Sequence, residues 1–276
     1  KRYFRILKTN SREKEFILMD IQSKNLIFTT SNKPNSQQIQ LARSYAEKYN
    51  GFYTDRKLID FASLDESFCF VIEKDGSLKI RWKDGQFFYH PSVAKIKYSS
   101  YLFNKTDPLL KILSISSSDT VVDLTMGLAS EALFIAAFCK CVTGIEGSLP
   151  IYIIVSEGLI NYGYEYEWMK QASKKVVCVY SDLREYIRNQ PNDSFDTVYC
   201  DPMFEHPKYS SSPINPLRKF AIYDPVTSED VNHMLRIARK RVVIKARSND
   251  SLWERFKFSY TTDRRKNDIS FGVIEK

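Results

Sequence analysis

One four-residue segment of the sequence is suited to hold a planar amine. Asp201, Pro202, Met203 and Phe204 follow Phe195–Cys200, an apolar run that predicts a buried strand. The Asp201 carboxylate can accept hydrogen bonds from an amine, and proline fixes the φ angle of the turn. Phe204 offers a flat face on which a base can stack. The segment could therefore aim an sp² nitrogen at an electrophilic methyl group, or it could simply end the strand, with the phenylalanine in the core.

A second segment with ligand-binding character follows an earlier predicted strand. Asp123 ends an apolar run, and Thr125, Gly127 and Ala129 come after it. Small residues let the backbone turn sharply and let a ligand approach the amino end of the next helix. Only one glycine is present, so this is not a glycine-rich phosphate loop, and alone it is a weak motif.

Two further acids end the next two predicted strands. Glu146 could accept hydrogen bonds from both hydroxyls of a ribose, which S-adenosylmethionine (SAM) and NAD both contain. Solvated acids are also common at such positions. Asp182 could accept a hydrogen bond from an adenine amino group, or it could cap the helix that follows, because aspartate satisfies free backbone N–H groups.

Regular alternation of strands and helices would position these segments. The predicted strands are residues 120–123, 141–146, 175–180, 195–200, 241–245 and 269–274. The predicted helices between and before them are residues 108–113, 130–138, 150–162, 182–189 and 227–238. This order predicts an α/β fold with a doubly wound, Rossmann-like, mostly parallel sheet. Ligands of such sheets bind beyond the carboxyl ends of the strands, where the acidic segments lie.

The amino-terminal part of the chain shows a different pattern. Residues 26–100 predict a smaller α/β domain, with a helix that begins at Ser36 and a hairpin whose turn is at residues 83–85. We interpret residues 1–25 as either an added strand or a loosely held arm, and residues 92–107 as a connector. The larger α/β domain would then comprise residues 101–276.

Composition narrows the classes of protein. The chain has 276 residues, with 41 Lys and Arg against 33 Asp and Glu, for a formal charge of +8. This charge suits a polyanion such as RNA, although ordinary basic proteins share it. The five cysteines have no metal-site spacing and are expected to be reduced core residues, so no metal is expected. The polar amino-terminal segment and the lack of an apolar run of about 20 residues predict a soluble, cytoplasmic protein.

These motifs together resemble a known family. The order Asp-x-Thr-x-Gly, an acid after the second strand and Asp-Pro-Met-Phe is similar to class I SAM-dependent methyltransferases. The nearer resemblance is to the RsmJ-like family, whose members methylate the exocyclic N2 of a guanine in 16S ribosomal RNA. Residues 122–132, 198–204 and 240–245 carry it. Residues 29–34 and 88–92 resemble the longer Gram-positive relatives, and the similarity covers about residues 26–276.

The resemblance implies a role for each candidate residue. The cofactor would be SAM, and the partner ribosomal RNA or the small ribosomal subunit, with no membrane or metal involved. The methionine end of SAM would lie against Asp123, Thr125 and Gly127. The ribose of SAM would lie against Glu146, Gly147 and Ser148, and the adenine would lie against Asp182 and Leu183. The catalytic group would be Asp201, Pro202 and Phe204, with Asp201 next to the cofactor as well. Ala129 departs from RsmJ, where a glycine is common.

Basic residues near the carboxyl end are candidates for contact with RNA phosphates, because phosphate contacts dominate nucleic-acid affinity. They are Arg236, Arg239, Lys240, Arg241, Lys245, Arg247 and residues 264–266. Any one of these residues could equally be part of a solvated basic face that binds no RNA. Lys245 ends a strand and could face the site.

Other functions stay open on the sequence alone. The same turn would serve adenine N6 or another RNA or DNA amine. A dinucleotide-binding oxidoreductase would explain the loop at Gly127 and the acid at Glu146, but not the Asp-Pro-Met-Phe segment. A non-catalytic RNA-binding protein on this fold would have no need for the acids at the strand ends. The small amino-terminal domain is the candidate for choosing the RNA.

Overall fold

The chain divides into two compact units, Lys1–Tyr89 and His90–Lys276. The computed structural model describes residues 3–10, 13–20, 26–64, 67–205, 215–262 and 268–276, and only the backbone of residues 3–20. The sequence placed the boundary after residue 100. The difference arises because the predicted connector contains a helix, Ser92–Asn104, that packs on another helix of the second unit, Ser130–Ala136.

The first unit contains a hairpin and a five-stranded sheet. The hairpin strands are β1 (Tyr3–Asn10) and β2 (Glu13–Asp20), which pair antiparallel. The elements of the sheet layer are β3 (Ile27–Thr30), α1 (Ser36–Lys48), β4 (Phe52–Tyr53), β5 (Cys69–Ile72), β6 (Leu78–Trp82) and β7 (Gly85–Phe88). The strand order is β4-β3-β5-β6-β7, with β3 parallel to both neighbours and the last pairs antiparallel.

Local signals explain why this unit folds as it does. Asn35 and Gln38 form a capping box at the start of α1, which satisfies free N–H groups of the first turn. The helix buries Ala42 and its neighbours, and Phe28 stacks on Phe70 with ring centres 4.7 Å apart. This aromatic pair lies on two adjacent strands, so it fixes the centre of the small core.

The second unit is a doubly wound sheet with helices around it. Its helices are α2 (Ser92–Asn104), α3 (Pro108–Leu113), α4 (Ser130–Ala136), α5 (Leu149–Asn161), α6 (Glu167–Ser173), α7 (Leu183–Asn189), α8 (Asn215–Arg218), α9 (Ser228–Ile237) and α10 (Leu252–Arg255). Its strands are β8 (Thr120–Asp123), β9 (Cys141–Glu146), β10 (Val176–Tyr180), β11 (Phe195–Cys200), β12 (Ala238–Arg247), β13 (Tyr260–Thr261) and β14 (Ile269–Glu275).

The strand order of this sheet creates a binding position. The order is β10-β9-β8-β11-β12-β14-β13, in which the first five strands are parallel and β14 is antiparallel to both neighbours. The predicted fold class is confirmed. The direction of winding reverses between β8 and β11, and ligands of open α/β sheets bind at such a reversal. The loops after β8 and β11 therefore meet at the natural binding edge.

The late basic residues mostly form contacts inside the second unit. Arg239 pairs with Asp196 at 2.9 Å, and Lys240 pairs with Asp119 at 2.7 Å. Both acids stand at the amino ends of strands, on the edge opposite the binding edge. Intramolecular contacts also engage Arg236, Arg241, Lys245 and Arg247. These contacts help to hold the unit together. Arg239 and Lys240 are nevertheless exposed, so a contact with RNA phosphates stays a prediction for them. Residues 264–266 lie outside the described residues.

No helix in the described parts of the chain is long and apolar enough to cross a membrane.

Candidate active site

A cleft with about 740 Å³ of empty space lies at the carboxyl ends of the central parallel strands. Every predicted strand-end segment contributes to its wall. The predicted site residues that line it are Thr125, Gly127, Glu146, Gly147, Asp182, Leu183, Asp201 and Pro202. The segment before α9 adds further wall residues, among them Ile222 and Asp224.

Asp123 is buried behind this wall and does not line the cleft. Its Oδ1 accepts a hydrogen bond of 3.0 Å from the backbone N–H of Thr125. Burial raises the pKa of Asp123 to about 7, and the nearby charges of Glu131 and Asp201 add to the effect, while the Thr125 bond opposes it. The residue therefore shapes the loop from within, at a cost whenever its carboxyl group is ionised.

The loop after β8 depends on two residues in the left-handed backbone region. Gly127 has a φ of 49°, and Ala129 has a φ of 55°. Glycine adopts this region freely, whereas alanine costs about 1 kcal/mol there. Ala129 adopts this conformation all the same, and its methyl group is fully buried. The loop therefore reaches the amino end of α4 in the form that a glycine would give it.

Glu146 joins the first two strand-end loops. Its Oε2 accepts from the N–H of Gly127 at 3.1 Å, and its Oε1 accepts from the N–H of Ser148 at 2.7 Å. Burial raises its pKa, and these backbone bonds oppose the shift. A Cβ at Gly147 would lie 2.6 Å from Cδ1 of Ile222, so a larger residue there would displace part of the cleft wall. Ser148 is buried and does not line the cleft.

Asp182 caps helix α7, which was one of the two roles predicted for it from the sequence. Its Oδ1 accepts from the N–H groups of Arg184 at 2.8 Å and Glu185 at 3.1 Å. Both bonds use the same oxygen, and the residue also lines the cleft beside Leu183. The cap fixes the carboxyl group at the rim, and the adenine contact stays a prediction.

Asp201 connects the fourth strand-end loop to the first. Its backbone N–H donates to Oγ1 of Thr125 at 2.7 Å, which ties the ends of β8 and β11 together. Its Oδ2 accepts from Nζ of Lys245 at 2.6 Å. Burial raises the pKa of Asp201 to about 6, with the charge of Lys245 opposing this. The carboxylate is therefore fixed in direction and is ionised at neutral pH.

Behind Asp201 lies a partly buried ion cluster that was not predicted from the sequence. Glu131 accepts from Lys245 at 3.2 Å and from Lys97 at 2.9 Å, and it also bonds the hydroxyl of Tyr199. Burial acts to raise the pKa of Glu131, but the two lysine charges and the tyrosine hold it at about 2. Lys245 is thereby fixed between two carboxylates, so it positions Asp201. Only the strand-end place of Lys245 hinted at this role.

Phe204 does not line the cleft but an adjoining pocket of about 640 Å³. The guanidinium carbon of Arg247 lies 5.2 Å from the centre of its ring. The cleft and this pocket share wall residues, which are Pro202, Met203, Pro225 and Val226. The Asp-Pro-Met-Phe segment therefore forms the divider between two spaces, with its carboxylate on one side and its aromatic ring on the other.

Among the residues that the structure describes, no cluster of histidine, cysteine or acidic side chains could hold a metal ion.

Comparison with known proteins decides the family. A family model described as "Putative SAM-dependent methyltransferase" matches residues 86–270, two thirds of the chain. The chain belongs to this family. The second unit is thus a class I methyltransferase domain, and its cofactor is SAM, which excludes the oxidoreductase alternative. The cleft suits that cofactor, because it combines carboxylates for hydroxyl and amino groups with apolar wall residues such as Leu183 and Ile222.

Relatives with sequence similarity include an uncharacterised protein and ribosomal RNA enzymes. The chain is 29% identical over 258 residues to the protein YpiP of Bacillus subtilis, and the match covers 90% of this chain and 99% of that protein. It is 28% identical over 145 residues to ribosomal RNA small subunit methyltransferase J of Haemophilus influenzae. That match covers 50% of this chain and 56% of the Haemophilus protein, so the chain spans little more than half of that relative.

A solved structure shares the fold. A SAM-dependent methyltransferase from Neisseria gonorrhoeae superposes with a TM-score of 0.61 at 16% identity, over 90% of this chain and 95% of that one. At this identity the likeness concerns the fold alone.

Proposed function

We propose that this methyltransferase transfers the methyl group of SAM to the exocyclic N2 amine of a guanine in small-subunit ribosomal RNA. The observation that carries the proposal is the position of Asp201. Its carboxylate is held by Lys245 at 2.6 Å, at the divider between the cleft and the pocket of Phe204. An amine that enters from that pocket would meet a fixed acceptor at the edge of the cofactor cleft.

In this proposal the cofactor occupies the cleft in the orientation that the family resemblance implies. The methionine end lies over the loop of Thr125 and Gly127, which Asp123 supports from behind. The ribose hydroxyls bond to Glu146, beside Gly147 and Ser148, and the adenine lies against Leu183 and Asp182. Glu146 has two oxygens with four lone-pair sites, and the backbone N–H groups of Gly127, Gly147 and Ser148 use three of these. Acceptor capacity is therefore left for the ribose.

The residues act on the reaction mainly by positioning. SAM supplies an electrophilic methyl group on a sulfonium centre. Asp201 accepts a hydrogen bond from the guanine amine, so that the nitrogen lone pair points along the line of displacement. Pro202 keeps the turn rigid, and Phe204 stacks on the base. The amine loses its proton during or after transfer, so Asp201 orients the nucleophile and no strong base is required.

Ribosomal RNA is favoured as substrate by the relatives and by charge. Several curated relatives are named ribosomal RNA small subunit methyltransferase J, although they align over only half to two thirds of their length. The net charge of +8 suits a polyanionic partner. We further propose that the small sheet of residues 26–89 contributes to recognition of the RNA.

The purified protein should methylate small ribosomal subunits isolated from a strain that lacks the gene. With isotopically labelled SAM, we expect the label in N2-methylguanosine after digestion to nucleosides and chromatography with mass spectrometry. Subunits from the parent strain serve as the control and should accept little label, because their site is already methylated. Label in N6-methyladenosine, or in no nucleoside, would contradict the proposed base.

A further inference from the structure

The pocket beside Phe204 contains a buried acid with an unused oxygen. Asp250 is 6% exposed and lines this pocket. Its Oδ2 accepts a hydrogen bond of 2.8 Å from the backbone N–H of Arg247. In the described part of the chain, its buried Oδ1 has no hydrogen-bond partner. An unsatisfied buried acceptor destabilises the folded protein, so a group of this kind calls for a ligand.

The fold itself does not explain why the residue is an aspartate. The turn before α10 needs a single acceptor for the N–H of Arg247, and asparagine would supply it equally well. A second unused group lies close by in the sequence and in the fold. Among the described residues, Nε of Arg247 has no hydrogen-bond partner, and the Arg247 side chain lies over the ring of Phe204, although Arg247 does not itself line this pocket. The pocket thus combines the aromatic ring of Phe204 with the unused oxygen of Asp250.

We propose that this pocket receives the target guanine and that Asp250 selects it by accepting the N1–H of its Watson–Crick edge. The inference rests on the proposed function and adds the group that chooses the base. Guanine carries N–H donors at N1 and N2 on neighbouring atoms of that edge. In the proposal Asp201 accepts from the amine at N2 and Asp250 from the N–H at N1, since the spaces that the two acids line adjoin and share Pro202 and Met203.

The same arrangement rejects adenine. Adenine presents an unprotonated N1 next to its amine, and a carboxylate facing that lone pair has no donor to bond. A site built to hydrogen-bond a donor discriminates strongly against an analogue without it, because the buried polar group of the protein is then left unpaired. Phe204 would stack on any base, so the choice between bases lies with Asp250.

Asp250→Asn is a sharp test, because it retains an acceptor for the N–H of Arg247 and replaces the unused oxygen with an N–H donor. On the subunits described above, we expect the rate of N2-methylguanosine formation to fall roughly 10- to 100-fold. The affinity for SAM, measured by calorimetry, should stay within about twofold of wild type. Glu254→Gln is the matched control, since it removes a carboxylate of the adjacent helix α10 that is exposed and does not line the pocket.

The outcomes separate the two proposals. The wild-type protein could form N2-methylguanosine while the Asp250→Asn variant is equally active. This result would overturn only the role of Asp250. A variant whose affinity for SAM falls by the same factor as its activity also overturns the role of Asp250, because the substitution would then have disturbed the fold of the site. Wild type that forms methyladenosine, or transfers no methyl group to RNA, overturns the proposed function and this inference together.

A base analogue isolates the contact at N1. Once the methylated position is located, an RNA fragment can carry 2-aminopurine there, which keeps the amine at C2 but has no proton on N1. Wild type should methylate this fragment roughly 10- to 100-fold more slowly than the guanine fragment, and Asp250→Asn should show a much smaller difference. Equal differences for the two proteins would rule out a bond between Asp250 and N1.

Discussion

Replacing Asp201 with asparagine should lower kcat for methyl transfer by about 10²- to 10³-fold, while the affinity for SAM stays within a few fold. The size of the loss is that expected when one preorganised electrostatic contact to the reacting group is removed. The amide keeps the shape of the carboxyl group, and Lys245 keeps its partner Glu131 at 3.2 Å, so the fold should persist. Single-turnover rates with saturating SAM measure the effect on the chemical step.

The pH profile gives a second readout of the same residue. Because burial raises the pKa of Asp201 to about 6, the acceptor form is lost as the pH falls through that value. Wild-type kcat should therefore rise from pH 5 to pH 7 and then level off, whereas Asp201→Asn should show no rise. Glu165→Gln, an exposed carboxylate that lies outside the cleft, is the control and should behave as wild type. Full activity of Asp201→Asn would contradict the role assigned to the carboxylate.

Asp123→Asn should become more stable, relative to wild type, as the pH rises from 4 to 7. The folded-state pKa of Asp123 is raised to about 7, against about 4 in an unfolded chain. The folded state of the wild-type protein therefore binds the Asp123 proton more tightly than the unfolded state does. The stability that this tighter binding contributes is complete below pH 4 and is lost as the pH rises through 7. The loss is about 1.4 kcal/mol per pH unit, up to about 4 kcal/mol.

Urea unfolding at several pH values measures this difference. The free energy of unfolding of Asp123→Asn minus that of wild type should grow between pH 4 and 7 and be constant at higher pH. Asparagine still accepts from the N–H of Thr125. A difference that is constant from pH 4 to 7 would show that the carboxyl group of Asp123 has an ordinary pKa.

The strand ends were predictable because their signal is local. Each lies where an apolar run stops and an acid follows, and parallel strands bring such positions to one edge. Glu146 and Asp201 both line the cleft for this reason. Asp123 and Phe204 were harder to place, since the sequence does not show whether a side chain after a strand points into the cleft, behind the loop or into a neighbouring pocket.

The contacts that hold Asp201 could not be read from the sequence. Lys97, Glu131 and Lys245 come from α2, α4 and β12, and their meeting depends on how two helices pack against the sheet. Residues 92–107, which include α2, were predicted to be a connector. Ile96 and Phe103 of that helix are exposed, which weakens the periodic signal of a buried face.

The most direct test of the whole account is a comparison of nucleosides from small-subunit ribosomal RNA of two strains, with and without the gene. Mass spectrometry should show one N2-methylguanosine fewer per subunit in the deletion strain than in the parent strain. The wild-type gene should restore it, and the gene encoding Asp201→Asn should not. An unchanged content of methylguanosine in the deletion strain would contradict the proposed substrate.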